Sequence, residues 1–538
     1  MPIQHGRGEF GGAVDLAEGW SLARFTPASR LYGANGLRTG PDGRIYVAQV
    51  SGSQISAIDV ATGEVETISP MGGAIVAPDD LVFDNDGNLF ATEITEGRVS
   101  MLSPDGRVRV VYGDLPCANP ITFHQGRLFA GECRPGGRIM ELDLDSGTPR
   151  VLVDNVPMPN AMAVGPDGML YFPVMEANEI WRVSLQGGTP ERVAGELGVP
   201  DAVKFDADGN IVTTQAASGQ VLRINPRTGA RTVLANLAPG LDNLTFVGDR
   251  LFVSSFSGEI TEILHDGACR SLLPAGLNGP LGMAVGDGGE LVVADGPYCY
   301  CLVPGESPRV AGMLFTPGSP GYTRGIAAAG PGEYVVTTSA GQVSRWWPAQ
   351  QRSEVLAQGF DRLFGVAVTV DGVAAFVEAG AVDEGEGRLF SVSSGQVEQL
   401  ASGLSEPKGV AITADRTCFV AEEGKGRVVR PAGNGLETVL DDLDKPQGLL
   451  LLDNRLYVVD VGAKALVEYD LERKARRTIA TGLPVGAPAG VTPKFLRAFP
   501  PLSGSMGPFA GIAAGRDGVL YVSADGDGSI MALRPRSA

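Results

Sequence analysis

Short apolar runs separated by turn residues recur along the whole chain. One copy begins at Pro200-Asp-Ala-Val-Lys-Phe205, continues through the turn Asp-Ala-Asp-Gly, and resumes with the apolar run Asn210-Ile-Val-Thr-Thr-Gln215. Two further runs with alternating polar and apolar positions precede the next copy. Because successive side chains of a strand face opposite sides, this pattern predicts four short strands per copy and no helix. Repeats of about forty residues with four strands each are typical of β-propeller blades.

Aligning the first strand of every copy gives twelve repeats. The residues that open these strands are Asn35, Asp79, Asn119, Asn160, Asp201 and Asp242 in the first half, and Leu281, Arg324, Phe364, Lys408, Gln447 and Ala510 in the second. Natural propellers usually have roughly four to eight blades. The repeats therefore predict an all-β chain of two consecutive six-bladed β-propellers, with a split into five and seven blades as the alternative.

The two ends of the chain suggest how the propellers are divided. The opening residues change character after Asp242, and the last repeat, from Phe509, has only three strands of its own. The segment Trp20–Phe25 has the alternation of the missing fourth strand, and pairing it with the last repeat would leave no exposed strand edge. The predicted domains are residues 31–275 for the first propeller, and residues 1–30 with 276–538 for the second.

Charge and composition narrow the class of protein. The chain of 538 residues has a net charge of -19, which argues against nucleic acid or an anionic membrane as its partner. No apolar run is long enough for a transmembrane helix, and the N-terminus lacks the apolar core of a signal peptide. The six cysteines show no disulfide framework spacing. We therefore expect a cytoplasmic protein with reduced thiols that acts on a small molecule.

Six polar residues at one register position are the strongest chemical signal in the first half. In a propeller the first strands line the central tunnel, so these side chains should converge at one mouth of it. Carboxylates and carboxamides together suit a hard cation; Ca²⁺ is the preferred ion, with Mg²⁺, Mn²⁺ and Zn²⁺ as alternatives. Asn and Asp are also common turn residues, which is the competing explanation. The predicted metal ligands are Asn35, Asp79, Asn119, Asn160 and Asp201.

A second polar set ends the second strands of the same repeats. Antiparallel pairing across the tight turns should place one of these residues opposite each opening residue. The predicted pairs are Asn35 with Gln49, Asp79 with Glu93, Asn119 with Glu132, and Asp201 with Gln215. Such partners could orient the metal ligands or bound water, or they could simply solvate the tunnel mouth.

Two of the repeated segments resemble a known family. Pro159-Asn160-Ala-Met-Ala-Val-Gly-Pro-Asp-Gly-Met-Leu-Tyr171 and Pro200-Asp201-Ala-Val-Lys-Phe-Asp-Ala-Asp-Gly-Asn-Ile211 are similar to segments of the SMP-30/gluconolactonase/LRE propellers. The resemblance covers roughly residues 30–275. The repeat of four strands about every forty residues continues to the C-terminus, as in a duplicated propeller. NHL-type propellers share this repeat. It implies a divalent metal in a six-bladed propeller and hydrolysis of a lactone or ester. By motif, it implies Asn119, Asn160 and Asp201 as ligands.

The chain also departs from that family's pattern. Asn35 stands where the family has a glutamate, and Ala161 and Ala202 stand where it has glycines. Asp79 could supply the missing charge. These departures affect the prediction of which metal is bound and which reaction is catalysed.

The resemblance, together with the six polar opening residues of the first half, predicts a metal-dependent hydrolase of a lactone or cyclic ester. Asp201 would act as general base or nucleophile, with Asp242 as the alternate. One alternative is a lyase or another bond-cleaving or bond-forming propeller enzyme with its site between the two propellers. Another is a non-catalytic propeller that binds a ligand or protein and holds a structural metal. Streptogramin-lyase propellers use a histidine base; the histidines here are His5, His124 and His265, and neither His124 nor His265 has the right position.

The second half has cationic rather than acidic opening residues. Arg324 and Lys408 could contact an anionic substrate, or they could form a salt-bridged plug in which Lys408 pairs with Glu422. The Pro/Gly-rich insertion Pro484–Pro508 is either a lid over a site or a connector.

Overall fold

The protein is an all-β chain, as the alternating pattern predicts. The computed structural model describes residues 6–7, 13–382, 385–433 and 435–536. Helix is limited in these ranges to the 3₁₀ turns Pro348–Gln350 and Glu423–Lys425. No helix in the described ranges has the length and apolar character needed to cross a membrane. Residues 1–5 and 8–12 lie outside the described residues, and His5 is among them.

The described chain divides into two compact units. The first contains residues 29–278, Gly6 and Arg7, and the segment 490–501. The second contains residues 13–28, 279–489 and 502–536, as far as these are described. The segment 490–501 comes late in the sequence, within the Pro/Gly-rich insertion, yet it belongs to the first unit.

Six four-stranded antiparallel sheets form the first unit, each from four strands consecutive in the chain. Numbered in chain order after β1 (Asp15–Leu16) and β2 (Trp20–Arg24), these strands are β3–β6 (Leu37–Thr39, Ile45–Gln49, Gln54–Ile58, Val65–Ser69), β7–β10 (Pro78–Phe83, Leu89–Glu93, Arg98–Leu102, Val108–Tyr112), β11–β14 (Ala118–His124, Arg127–Glu132, Gly137–Leu142, Pro149–Val156), β15–β18 (Ala163–Val164, Met169–Val174, Glu179–Ser184, Glu191–Ala194), β19–β22 (Pro200–Phe205, Ile211–Gln215, Gln220–Ile224, Arg231–Asn236) and β23–β26 (Leu241–Val247, Arg250–Ser255, Ile260–Ile263, Cys269–Leu273).

The second unit also holds six sheets, two of which include N-terminal strands: β2 is the fourth strand of one sheet, and β1 is a fifth strand of another. Its strands are β27–β30 (Met283–Val285, Leu291–Asp295, Tyr298–Leu302, Arg309–Met313), β31–β34 (Thr323–Gly330, Glu333–Thr338, Gln342–Trp347, Arg352–Gln358), β35–β38 (Leu363–Val368, Ala374–Glu378, Gly387–Ser393, Gln396–Leu404), β39–β42 (Pro407–Ile412, Cys418–Glu422, Arg427–Ala432, Gly435–Leu440), β43–β46 with β1 (Pro446–Leu452, Arg455–Asp460, Ala465–Asp470, Ala475–Thr481) and β47–β49 with β2 (Ile512–Ala514, Leu520–Ala524, Ser529–Pro535).

The N-terminal strand β2 is the outer strand of the last sheet. It runs antiparallel to β49, with Trp20 opposite Pro535 and Arg24 opposite Met531. Trp20 is 8% exposed and packs in the apolar core shared by the last two sheets of the unit. Both hydrogen bonding and apolar burial therefore attach this segment to the second unit.

Arg7 joins the two ends of the 29–278 segment within the first unit. Its guanidinium lies 3.9 Å from the ring centroid of Tyr32. Its Nη1 donates to the carbonyl oxygens of Leu31, Leu277 and Asn278 at 2.6 to 3.0 Å. Hydrogen bonds from a charged donor are among the stronger ones in proteins, so these contacts hold the ends of the segment together.

A β-bulge near the start of most first strands changes the predicted register. In β7, Pro78 pairs with Glu93 and the next pair is Leu81 with Ala91, so that Asp79 and Asp80 share one opposing residue. The partner of Glu132 is likewise Ala118, and that of Gln215 is Pro200. The predicted pairs of Asp79, Asn119 and Asp201 with these residues are therefore wrong by one position. The extra residue locally interrupts the ladder and re-aims the neighbouring side chains.

The first strands of the first unit contact one another in sequence and return to the start. Gly36 N donates to Asp79 O at 2.7 Å, Thr92 Oγ1 to Asn119 O at 2.8 Å, and Val203 N to Ala161 O at 2.9 Å. Strands β11 and β15 are also in contact. Thr214 Oγ1 donates to Asp242 O, and Ser254 Oγ donates to Asn35 O at 2.7 Å. The opening residues of six sheets are thus linked in a cycle.

Glycines form the corresponding cycle in the second unit. Each opening residue is followed by glycine, at Gly282, Gly325, Gly365, Gly409, Gly448 and Gly511. A Cβ atom at Gly282 would lie 2.7 Å from the Arg324 carbonyl oxygen, and one at Gly511 would lie 2.5 Å from that of Leu281. The neighbouring backbone occupies the space of each missing side chain. These strands enclose a cavity of about 290 Å³ lined largely by glycine, alanine and larger aliphatic residues.

Adding one methyl group to this glycine cycle should destabilise the second unit. In Gly409→Ala, the new Cβ would overlap the backbone oxygen of Gln447. Overpacking of this kind costs about 1–3 kcal/mol, which urea denaturation followed by tryptophan fluorescence would measure. The matched control is Gly435→Ala, where a Cβ meets no atom within 4 Å. Equal stability of the two variants would contradict the close approach of the strands.

Candidate active site

The opening residues of the first unit come together at the inner ends of its sheets. Asn35 is partly exposed; the other five, Asp79, Asn119, Asn160, Asp201 and Asp242, are at most 6% exposed. Asn35 Nδ2 donates to Asp242 Oδ2 at 3.0 Å, and Asn160 Nδ2 donates to Asp201 Oδ1 at 3.0 Å. Residues that are 207 and 41 positions apart in the chain are therefore direct neighbours.

The carboxylates of Asp79, Asp201 and Asp242, hereafter the carboxylate cluster, interact electrostatically with one another. Burial raises the pKa of Asp79 to about 8, and the charge of Asp80 adds to this effect. Burial and the charge of Asp79 raise the pKa of Asp201 well above its usual range. The pKa of Asp242 rises in the same way through burial and the charges of Asp201 and Asp79. Burial and nearby like charges both disfavour the ionised form of a carboxyl group, so each of these groups makes the others harder to ionise.

The two carboxamides direct their amino groups towards the carboxylate cluster. The Oδ1 atom of Asn35 accepts from Val50 N at 3.1 Å, and that of Asn160 accepts from Ala161 N at 2.7 Å. A carboxamide oxygen with one hydrogen bond keeps a second lone pair. Asn35 and Asn160 therefore hold the carboxylates in place and retain acceptor capacity for a cation.

The buried charges of this region are not balanced by the protein itself. Two cationic side chains, the partly buried Arg38 and the buried Lys204, interact electrostatically with the surrounding acidic groups. The acidic groups are Asp79, Asp80, Asp201 and Asp242. When all are ionised, two negative charges remain, and a divalent cation with oxygen ligands would neutralise them. The donor set thus fits a hard divalent cation, although among the described residues no group of three or more His, Cys, Asp or Glu already has metal-ligand spacing.

The residues predicted as partners of the opening residues have a different role. Glu93, Gln49 and Gln215 accept from the backbone N–H groups of Val76, Tyr32 and Gly198 at 2.7 to 2.9 Å, and Glu132 pairs with Arg134 and Arg138. Glu93, Gln49 and Gln215 thereby anchor the loops that lead into the first strands, whereas Glu132 pairs with arginines that follow β12. A part in orienting the opening side chains stays a prediction. For Glu93, Glu132 and Gln215, the one-residue bulge separates the opening residue from the pairing position.

Sequence reasoning missed a polar layer further along the first strands. Arg38 donates through Nε to Leu81 O at 2.9 Å and through Nη2 to Ile121 O at 3.1 Å. Asp80 is fully buried and accepts from Asn243 Nδ2 at 3.3 Å. Arg38 and Lys204 each follow an opening residue by three positions, in strands that are otherwise mostly apolar. The same alignment that revealed the opening residues could therefore have revealed this layer.

Sulfur atoms and the late segment 490–501 adjoin the carboxylate cluster. The Cys133 thiol lies 3.9 Å from Met175 Sδ, and burial together with the charge of Asp79 raises its pKa well above the usual range. Burial also raises the pKa of Cys117 to about 11, and its thiol donates to Pro500 O at 3.5 Å. Protonated thiols of this kind pack as small apolar groups. The late segment of the chain therefore reaches the neighbourhood of the carboxylate cluster.

The cationic opening residues of the second unit are engaged with their own neighbours. The Arg324 guanidinium lies 4.8 Å and Lys408 Nζ lies 3.7 Å from the ring centroid of Phe364. Arg324 donates to Gly507 O, and Lys408 pairs with Glu406 at 3.1 Å. The predicted pairing of Lys408 with Glu422 is wrong, because Pro407 occupies the register position opposite Glu422. An anionic substrate at Arg324 and Lys408 stays a prediction.

The two described histidines are remote from the opening residues of the first unit. His124 ends β11, at the opposite end from Asn119, and is partly exposed. The His265 side chain is 83% exposed and lies 3.4 Å from Asp249.

For metal-free protein, the carboxylate cluster predicts that the free energy of unfolding decreases as pH rises. The pKa of Asp79 is about 8 when folded, whereas an unfolded aspartate titrates near ~3.9. Between these values the folded state binds more protons than the unfolded state, so the free energy of unfolding should fall as pH rises. We expect a loss of about 1 kcal/mol or more between pH 5 and 8 in chelator, measured by urea denaturation. In Asp79→Asn this slope should be reduced, and a slope unchanged from wild type would contradict the assignment.

Comparison with known proteins agrees with the motifs of the first unit. Residues 122–257 match the family model described as the SMP-30/Gluconolactonase/LRE-like region. A gluconolactonase of Zymomonas mobilis subsp. mobilis is 27% identical over 163 residues, which are 26% of this chain. The chain spans about half, 46%, of the length of that relative.

Solved propeller structures also align with parts of the chain. Virginiamycin B lyase from Staphylococcus aureus is 18% identical, with 53% of this chain and 96% of that chain covered and a TM-score of 0.37. Regucalcin from Agrobacterium tumefaciens, a calcium-binding protein, is 20% identical, with coverages of 44% and 85% and a TM-score of 0.35. Likeness at this level carries no inference about function.

The family match lies within the first unit and includes three of its opening residues, Asn160, Asp201 and Asp242. The resemblance drawn from the Pro-Asn and Pro-Asp motifs is confirmed: the first unit of this protein contains an SMP-30/gluconolactonase/LRE-like region.

Proposed function

We propose that the first unit is a six-bladed β-propeller that hydrolyses a small lactone or cyclic ester with the help of a divalent cation. The observation that carries this proposal is the convergence of Asp79, Asp201 and Asp242 inside a unit that matches the gluconolactonase-like family. Ca²⁺ is the preferred ion because every donor is an oxygen, and Mg²⁺, Mn²⁺ and Zn²⁺ are the alternatives. The proposed ligands remain Asn35, Asp79, Asn119, Asn160 and Asp201.

The second unit is proposed to be another six-bladed propeller. The cyclic contacts of its six glycine positions and the pairing of β2 with β49 support this proposal. Domain bounds of 31–275 for the first propeller, and of 1–30 with 276–538 for the second, likewise stay a proposal. A cytoplasmic location is consistent with the free thiols of all six cysteines.

Asp201 is the proposed general base. A bound cation would polarise the lactone carbonyl and stabilise negative charge on its oxygen. The Asp201 carboxylate takes a proton from the attacking water while the hydrogen bond from Asn160 Nδ2 keeps it oriented. A pKa raised by burial suits a carboxylate for proton transfer near neutral pH. When the ring C–O bond breaks, Asp201 returns the proton to the departing oxygen. Asp242, held by Asn35 Nδ2, is the alternate base.

Metal analysis and lactone hydrolysis test this function together. Purified protein should contain about one equivalent of a divalent cation and should hydrolyse γ- or δ-lactones. Activity should disappear in chelator and return when Ca²⁺ or one of the alternative ions is added. Hydrolysis that is insensitive to chelator would overturn the metal role. Absence of hydrolysis of every lactone tested with all four ions would overturn the proposed reaction.

A further inference from the structure

Lys204 is distinguished by its position in both the sequence and the structure. The chain has seven lysines, at positions 204, 408, 425, 445, 464, 474 and 494, so Lys204 is the only lysine in the first 400 residues. Every other cationic side chain in residues 29–278 is an arginine, apart from the histidines. The single lysine of this segment lies in its interior and is 8% exposed. Arginine stays charged in proteins, whereas lysine can give up its proton when buried.

The amino group of Lys204 has no hydrogen-bond partner among the described residues. Its Nζ atom is buried in the inner layer where Arg38 and Asp80 also lie. A buried ammonium normally requires hydrogen bonds or a paired charge, and leaving its donors unsatisfied is costly. If the amine is neutral, most of this free-energy cost disappears, and the nitrogen has a free lone pair. The residue as a whole is 8% exposed, whereas Nζ itself is closed to solvent, so a carbonyl compound reaches the amine only when the side chain or its neighbours shift.

Lys408 provides the contrast within the same chain. It is also buried, at 3% exposure, and also lies in a first strand. Its Nζ, however, pairs with Glu406 at 3.1 Å and rests on the Phe364 ring. Burial lowers the pKa of Lys408 too, but Lys408 has an acidic partner and an aromatic ring beside its ammonium, whereas the Lys204 ammonium has no partner within hydrogen-bond distance.

We propose that Lys204 is an imine-forming site for small aldehydes or ketones, in addition to the proposed lactone chemistry of the first unit. Buried lysines next to a second cation are a recurring way to produce a nucleophilic amine. Arg38 supplies that second cation here, and its guanidinium is fixed by Leu81 O and Ile121 O. Burial, followed by the charge of Arg38, lowers the pKa of Lys204 to about 7, which agrees with the geometry.

The proposed reaction is a reversible condensation. The Nζ lone pair attacks the carbonyl carbon, and the C=O π electrons move to oxygen. A proton passes from nitrogen to that oxygen to give a carbinolamine, and loss of water then gives the C=N bond. The charges of Asp80 and Asp242 act on Lys204, and these carboxylates are the proposed acceptors and donors for the protons. The step needs no oxidant and no metal.

Reductive trapping tests the site directly. Folded protein is incubated at pH 7 with acetaldehyde and sodium cyanoborohydride, which donates hydride to the imine and leaves an ethyl group on the amine. Peptide mass spectrometry then compares the rates at the seven lysines. An ordinary lysine has a pKa near ~10.4, so its neutral fraction at pH 7 is on the order of a thousandfold smaller than that of a lysine with a pKa near 7. We expect Lys204 to be ethylated at least about tenfold faster than any other lysine, after allowance for restricted access.

Matched variants make the outcome decisive. Lys204→Met and Lys204→Arg should both lose the fast modification, while Lys408→Met should keep it; circular dichroism and thermal melting show whether each variant is folded. Modification of exposed lysines without Lys204, or equal rates at Lys204 and Lys408, would overturn the proposal. The same measurement in chelator and in Ca²⁺ separates it from the lactonase proposal. Trapping without any lactone hydrolysis would leave the imine site standing, and hydrolysis without trapping would leave only the lactonase.

Discussion

Replacing Asp201 with asparagine should lower kcat for lactone hydrolysis by about 10²–10⁴-fold and leave the fold intact. The substitution keeps the size of the side chain and an oxygen that can accept from Asn160 Nδ2. It removes the carboxylate that would take the proton from water. It also removes one of three mutually repelling buried charges, so the melting temperature should stay the same or rise.

Asp206→Asn is the matched control for this prediction. Asp206 follows β19 directly, and its carboxylate pairs with Arg223 at 2.8 Å instead of joining the carboxylate cluster. We expect its kcat to equal that of wild type. Calorimetric titration with Ca²⁺ separates two roles of Asp201: if excess metal restored full turnover to Asp201→Asn, Asp201 would be a ligand only and Asp242 would be the base. Unchanged kcat in Asp201→Asn at all metal concentrations would exclude both roles.

Deleting residues 1–28 should cause the largest loss of stability. The deletion removes β2, which pairs along its whole length with β49, and so leaves the last sheet with three strands and an unpaired edge. It also removes Trp20 from the apolar core of the last two sheets. Truncation of a buried large aromatic residue alone typically costs about 3–5 kcal/mol. We expect the truncated protein to melt at a clearly lower temperature or to be largely unfolded.

A pair of point variants isolates the strand from the rest of the deleted segment. Trp20→Ala should reproduce much of the loss in calorimetry, whereas Ala23→Ser, at an exposed position of the same strand, should be nearly neutral. Unchanged melting of both the truncated protein and Trp20→Ala would show that β2 does not stabilise the last sheet.

The sequence was most informative where the same four-strand pattern recurred in twelve repeats. Alternation within each repeat predicted strands, and glycine-containing turns such as the one at Gly209 set their limits, so the all-β fold followed from local chemistry. The opening residue Asp201 was found because five further repeats have Asn or Asp at the same position. Repetition converts a weak single-residue signal into a strong one.

The register and the second polar layer required the structure. A bulge shifts the strand partners by one residue, and nothing in the local sequence around Asp79 and Asp80 distinguishes two aspartates in a bulge from two in a regular strand. Glu132 was therefore assigned to Asn119, although it serves Arg134 and Arg138. The membership of segment 490–501 in the first unit also depends on contacts between residues far apart in sequence, such as Cys117 with Pro500. No periodic pattern encodes such contacts.

The division of the chain limits how the two halves can be produced separately. The backbone passes from one unit to the other between residues 7 and 13 and again near residues 28, 278, 489 and 501, so that each unit is assembled from discontinuous parts of the sequence. Cutting the gene after residue 278 would deprive the second unit of its N-terminal strands and the first unit of the segment that contacts Cys117. A recombinant first domain should therefore carry a grafted copy of 490–501. A recombinant second domain would best be a circular permutant, with residues 13–28 fused after Pro535 through a short linker, because β49 and β2 are adjacent antiparallel strands.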